Sequence, residues 1–463
     1  MKRSKRIYML LGILVVACIA TFALIRFEEH KEKIRSSEEI ILEIPSDTVK
    51  ALSWEYESQT LSFHKEDEWI YDEDDEFPVD QEKIQWLLGV FEQFGVSFII
   101  EDVKDYGQYG LKDPICRINL TTTDKSYEIL LGNFSEMDQQ RYVSIGDGNV
   151  YLVKDDPLYY YGTELKELID NDQTPIFDNV KEIVFSGAEN YRIIYEEDSD
   201  NSYRDKDVYF AQLGGKSLPL DTSRVEKYLR NVRYTDLTDY VTYKVKAEEL
   251  EKYGLDNPEL TLTVNYIAEN EEGEEVDETF VLHVSRDPEE RDSSDDEEEE
   301  EEITAYARVG NSKIVYKIKS EDYKNIMDAS YNSLRHLEVL PAEFKDIQKI
   351  DIVLEGRNYT INSEKKDDER TYYYNEEEID IKDFKYFLER LEAESFTDER
   401  PKHSLEISLT IHLDMKKEPK IKIDLYRYDG THCLAMVDGK PVSLVKRSDV
   451  VDVIEAVHEI VLN

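Results

Sequence analysis

Tyr109-Gly110-Leu111-Lys112-Asp113-Pro114 returns as Tyr253-Gly254-Leu255-Asp256-Asn257-Pro258, 144 positions later. In each copy the glycine suits the left-handed residue that closes a short helical turn, and the proline keeps helix from resuming. Upstream stands a helix signature that occurs three times. Pro78-Val79-Asp80 precedes an apolar stripe of Ile84, Leu87, Leu88 and Phe91, and Pro219-Leu220-Asp221 precedes Val225, Tyr228, Leu229 and Val232. Ile379-Asp380 precedes Phe384, Phe387, Leu388 and Leu391. Each Asp stands four residues before an i, i+3, i+4, i+7 pattern, which is the spacing of one buried helical face, and suits its N-cap.

Strand-like runs flank each helix. In the first copy they are predicted from Val49, Thr60 and Glu68 upstream, and from Cys116, Tyr127, Arg141 and Val150 downstream. The second copy repeats them from Glu182, Tyr191 and Asp207, then from Leu260, Thr279, Thr304 and Lys313. The third has Lys349, Asn358 and Thr371, then Leu405, Lys420, His432 and Val442, but lacks Tyr-Gly-Leu. The fold class expected is α+β, with three tandem units, each a mostly antiparallel sheet packed on one or two helices. Their expected bounds are 45–173, 174–341 and 342–463, with an acidic loop at 287–302 inside the second.

A chain of 463 residues fits three domains at about 150 residues each. Its 40% hydrophobic content allows sizeable cores, so the 35% of charged residues does not signal disorder. Net charge is −47. The run from Asp287 to Glu302 holds 12 acids against Arg291, and setting it aside leaves −36 on the rest. Such a field repels phosphate backbones, so nucleic acid is excluded as the expected partner. Only three cysteines occur, and Cys116 and Cys433 are expected as buried free thiols rather than a disulfide.

Lys2, Arg3, Lys5 and Arg6 precede an uncharged run over residues 7–25. Nineteen helical residues span about 28 Å, close to the hydrocarbon thickness of a bilayer. The expected layout is a cytoplasmic tail at 1–6, a transmembrane signal anchor at 7–25, a linker at 26–44, and the remainder outside the cell membrane. Two rival readings stand beside it: lipidation at Cys18 after Val15-Val16-Ala17, and cleavage near Ala20-Thr21-Phe22-Ala23.

From Trp69 through Pro-Val-Asp, the amphipathic helix, Glu101-Asp102, Tyr-Gly-Leu-Lys-Asp-Pro and Tyr151-Leu152-Val153, the chain resembles the bacterial family called domain of unknown function 4340. The resemblance is best over 69–170, weaker over the second unit and faint over the third. It implies a membrane-anchored envelope protein, of a kind often encoded beside export-type ABC transporters and in some cases described as a gliding-motility transport component. It therefore names an ABC-type permease, or another membrane protein, as the expected partner. The family offers no catalytic residues to transfer.

No motif points to chemistry. The acidic run lacks the spaced carboxylates and glycine of a calcium loop, and offers weak divalent-cation binding at most. The eight histidines form no paired ligand spacing; His412 and His432 are the one constellation, expected on neighbouring strands as ordinary surface residues. Carboxylates abound without a defined acid/base pair, and no nucleophile elbow, phosphate loop or dinucleotide fingerprint is present. Catalytic residues, cofactor and metal are accordingly expected to be none, and a cryptic hydrolase is the remotest reading. Tyr159-Tyr160-Tyr161 and Tyr372-Tyr373-Tyr374 invite a sugar-stacking reading, although tyrosine is also a favoured sheet-packing residue. The expectation is a non-enzymatic binding or scaffold protein, with capture of an envelope polysaccharide or small ligand as the alternative.

Overall fold

A computed structural model of the protein describes residues 12–22, 33–270, 272–291, 303–366, 369–415 and 419–462. Three sheets follow one another along the chain, and every strand pair within them is antiparallel. The chain divides between Asn171 and Asp172 into two compact units; the first holds one sheet and the second holds the other two.

The plan of the first sheet starts two strands in from one edge. Val49–Tyr56 pairs with Gln59–Lys65, which pairs with Trp69–Tyr71 at one edge. The Gln81–Gly89 helix then leads to Phe94–Glu101, near the other edge. Cys116–Thr122 comes back beside Val49–Tyr56, and three further strands step outward until Val150–Val153 meets Phe94–Glu101. The second and third sheets repeat this path around Asn179–Gly187 beside Leu260–Glu269, and around Ile347–Leu354 beside Leu405–Leu413. One plan is written three times.

Side-chain alternation decides which face is covered. Leu52 and Trp54 face inward with their cross-strand partners Phe63, Leu61, Ile118 and Leu120, all buried. Ile84, Leu87, Leu88 and Phe91 of the helix segment are buried as well. A nine-residue helix is not stable in water by itself, whereas each buried apolar side chain contributes about 1.5–3 kcal/mol. Packing on the sheet therefore makes the helix. The Asp80 carboxylate accepts from the Glu82 and Lys83 amides, and Asp221 does the same for Ser223 and Arg224. In the third unit the cap position is shifted: Ile381 occupies it without a side-chain cap, and Asp380 accepts from one backbone amide, that of Lys382, and from the same residue's ammonium. The Asp expected to cap that helix does not.

The Tyr-Gly-Leu repeat closes two 3₁₀ helices, Tyr106–Tyr109 and Ala247–Tyr253. Gly110 and Gly254 have φ of 69° and 65°. Gly110 N–H donates to Gly107 O and Leu111 N–H to Tyr106 O; Gly254 and Leu255 donate likewise to Glu251 and Leu250. Both are complete Schellman ends, with Leu111 and Leu255 packed into small apolar clusters that include Tyr106 and Leu250.

The copies have diverged at two places. The strand at the far side of the sheet shrinks from Phe94–Glu101 to Tyr240–Thr242 to Ser395–Phe396. The helix after the last strand lengthens from Leu158–Tyr161 to Ser320–Met327 to Arg447–Leu462. In the third unit Val450, Val453 and Val457 of that long helix join Phe384 and Leu388 in one core over the sheet.

The N-terminal region departs from the expected linker at 26–44. Lys33–Ser36 and Ile40–Leu42 are strands on Phe94–Glu101, and Leu42 and Ile44 are buried. Residues 12–22 are helical. Among the described residues no helix is long and apolar enough to cross a membrane; residues 7–11 and 23–25 of the apolar run lie outside them. The acidic run leaves after Arg286 and returns before Ala305, which are cross-strand partners. Residues 292–302 of it, and with them most of the expected cation loop, lie outside the described residues.

Candidate functional site

A partly buried cluster of opposite charges lies where the second sheet hands the chain to the third. Residues 335–342 lead across, and Val339, Leu340 and Ala342 are buried. Val339 N–H donates to Leu391 O, Ala393 N–H donates to Leu337 O, and Tyr203 bridges Ala342. His336 sits in this strap. Its Nε2 is 2.9 Å from Asp207 Oδ1, and its Nδ1 faces Glu338 Oε2 at 3.5 Å and Asp221 Oδ2 at 4.0 Å. Asp207 is buried and also accepts from Ser202 Oγ at 2.5 Å.

Two arginines complete the cluster. Arg204 donates to Leu340 O at 2.7 Å and lies 3.6 Å from Glu338. Arg224 donates to Ser333 O at 3.0 Å and lies 3.7 Å from Asp221. Three acids thus meet two arginines and one histidine, so the cluster is neutral only when His336 is protonated. Burial by itself would depress the imidazole, but its contacts with Asp207 and Glu338 outweigh that and lift it from 6.5 to about 9. The His336 contact in turn holds Glu338 down at about 2, against burial. Glu338 therefore stays ionised, which suits an ion pair and not a general acid. Beside it, Arg335 stands 4.9 Å from the Tyr331 ring and 4.4 Å from the Phe396 ring, a cation–π contact reaching into the third sheet. This arrangement clamps two repeats together.

The residues singled out from the sequence fall elsewhere. His412 and His432 are not on neighbouring strands: Lys420–Arg427 lies between them, and they occupy opposite ends of it. Each has its own acid instead, His412 with Asp351 at 2.8 Å and His432 with Glu394 at 2.9 Å. Cys116 and Cys433 are free and buried, and burial pushes both thiols up to about 12. Cys18 is free and exposed. The tyrosine triplets split. Tyr161 is core, donating to Leu87 O and meeting Trp54 edge-on at 5.4 Å, while Tyr159 and Tyr160 are exposed and pack edge to face. Tyr372 is buried and Tyr373 and Tyr374 half-buried on their strand.

Asp207 and His336 escaped sequence reasoning because 129 positions separate them and neither belongs to a motif. No spacing rule predicts that a linker histidine will meet a pre-strand aspartate.

No curated protein and no solved structure matches the chain. The family model described as Domain of unknown function (DUF4340) matches it twice, over residues 69–210 and 214–406. The break, residues 211–213, falls in the second half of the Tyr209–Leu213 strand, so each match begins at an outer strand of one sheet and ends inside the next. With two matches covering most of its length, the chain belongs to the DUF4340 family.

Proposed function

We propose that the protein is a membrane-anchored, extracytoplasmic binding or scaffold protein without enzymatic activity, and an accessory of an ABC-type transporter. The threefold repetition of one sheet-and-helix plan carries this reading. Repetition multiplies interaction surface, whereas a catalytic centre needs asymmetry at one place. The basic leader and the apolar run over 7–25 support the anchor. Only ten residues separate helical residue 22 from the strand that begins at Lys33, a reach of at most about 40 Å. An anchored first sheet would stay near the membrane surface.

Crosslinking the tagged protein in intact host membranes, followed by mass spectrometry, tests the proposal. An ABC-type permease or ATPase should be recovered reproducibly. Recovery of the protein alone, or of wall polymer alone, discards the transporter role. A second reading, capture of an envelope polysaccharide, is favoured by the exposed Tyr159 and Tyr160 pair. Loss of glycan binding on changing both to Ala would support it.

A further inference from the structure

On a strongly acidic chain the third unit gathers cations around a concavity. One recess of about 390 Å³ lies between a hairpin and the Lys382–Glu389 helix, and an adjoining recess of about 350 Å³ reaches back to Arg204 and Glu338. They share Phe344, Lys345 and Lys385. Both fall within the size range of small-ligand sites. Lys365 and Arg370 are direct cross-strand partners on the hairpin, and Lys382 and Lys385 approach from the helix. Tyr372 and Phe344, buried core residues with rings 5.6 Å apart, form the floor beneath these cations.

These cations are not equivalent. Arg370 is held by Lys345 O, Ser363 Oγ and, at 2.8 Å, Asp414. Lys345 pairs with Glu343 at 2.6 Å and Lys382 with Asp380 at 3.0 Å. Among the described residues Lys365 and Lys385 have no carboxylate within ion-pair distance, and the Lys385 ammonium stands 5.7 Å from the Phe344 ring centre. Ordinary surface lysines would need no further account, but two comparisons between the copies set these apart. Lys382 and Lys385 occupy the helix positions held by Glu82 and Gln85 in the first copy, and by Ser223 and Glu226 in the second. The hairpin also extends past its first-copy counterpart: Gln59–Lys65 and Trp69–Tyr71 become Arg357–Lys366 and Glu369–Tyr374, and the added length carries Lys365 and Arg370.

We propose that this recess binds a phosphorylated polyol or sugar. Lys365 and Lys385 supply compact positive charges to the phosphoryl oxygens. Thr371, Glu378 and Asp380 on the lining offer hydrogen-bond partners to hydroxyls. The assignment goes beyond the scaffold reading and stands independently of any transporter partner.

The test is calorimetric titration of the full-length chain, in nonionic detergent at low salt, with glycerol 3-phosphate and with glycerol as the uncharged control. Saturable binding of the phosphate alone is expected, weakened about tenfold or more in the Lys365→Gln/Lys385→Gln variant. It should be retained in Lys365→Arg/Lys385→Arg and in the remote pair Lys440→Gln/Lys446→Gln. Melting curves of each variant keep a folding defect separate from a lost site. Monomeric dihexanoyl phosphatidylglycerol, titrated in parallel, distinguishes the sources of the phosphate: tighter binding than glycerol 3-phosphate assigns a lipid headgroup, weaker binding a soluble metabolite. Absence of saturable binding to either phosphate, or equal binding by the Gln variant, overturns the proposal.

Discussion

Between pH 6.5 and 9 the His336 imidazole keeps its proton in the folded chain after the unfolded chain has lost it. Its raised value therefore contributes stability that is fully present below pH 6.5 and disappears as pH rises through 9. A shift of this size corresponds to about 3 kcal/mol. Glu338 works in the opposite direction: lowered to about 2, it contributes above its usual range near 4.5 and loses the contribution as pH falls toward 2. The two shifts describe one shared contact and are not additive. Denaturant unfolding of Asp172–Asn463 within the whole protein should weaken from pH 6.5 to 9.5. In His336→Gln that slope should vanish, and stability at pH 6 should fall by about 3 kcal/mol, because Asp207 is left buried without its cation. An unchanged slope in the variant would show that His336 is not the titrating group.

At the scale of elements, the repeated motifs do different amounts of work in different copies. Asp80→Ala removes a cap that accepts two amides and should cost about 1 kcal/mol in equilibrium unfolding, and Asp221→Ala should cost more, because it also takes a carboxylate from beside His336 and Arg224. Asp380→Ala should cost clearly less, since the carboxylate takes one amide from outside the cap position. Equal losses at all three would contradict the shifted cap. Gly110→Ala should be worse than any of them. Its φ of 69° already disfavours a side chain by about 1–2 kcal/mol, and the added Cβ would strike Asn133, lying 2.9 Å from its backbone nitrogen. Helix positions and Schellman ends were legible because each depends on neighbours within a few residues. Phe94–Glu101 was not, because the alternation of buried and half-buried positions holds only over its first four residues and then breaks. The terminal Arg447–Leu462 helix was missed for a related reason: its apolar face gains meaning only against the third-sheet core that it joins.

For the whole molecule, repetition in sequence and independence in space are separate properties. The three copies read alike, yet the compact units number two, because the strap at 335–342, the His336 cluster and Arg335 bind the second sheet to the third. Limited proteolysis should nick the chain near Asn171 and leave two persistent fragments. A cut near Leu340 should not release a stable third unit, because Val339, Leu340 and Ala342 are buried. Accumulation of a folded 342–463 fragment would show that the junction is weaker than its contacts indicate.

What the sequence determined by itself is the plan of each unit: the helix stripes, most strands, the glycine that turns the chain at Tyr-Gly-Leu, and the membership announced by the first copy. All of these are set by local sterics and periodic burial, which act over a few residues. Tertiary structure alone decided that 33–44 is strand and not linker, that His412 and His432 stand apart, that His336 meets Asp207, and that cations from a hairpin and a helix share one recess. Those are encounters between distant parts of the chain. They depend on where each sheet places its edges and on which charges burial brings together, and no spacing along the chain encodes either.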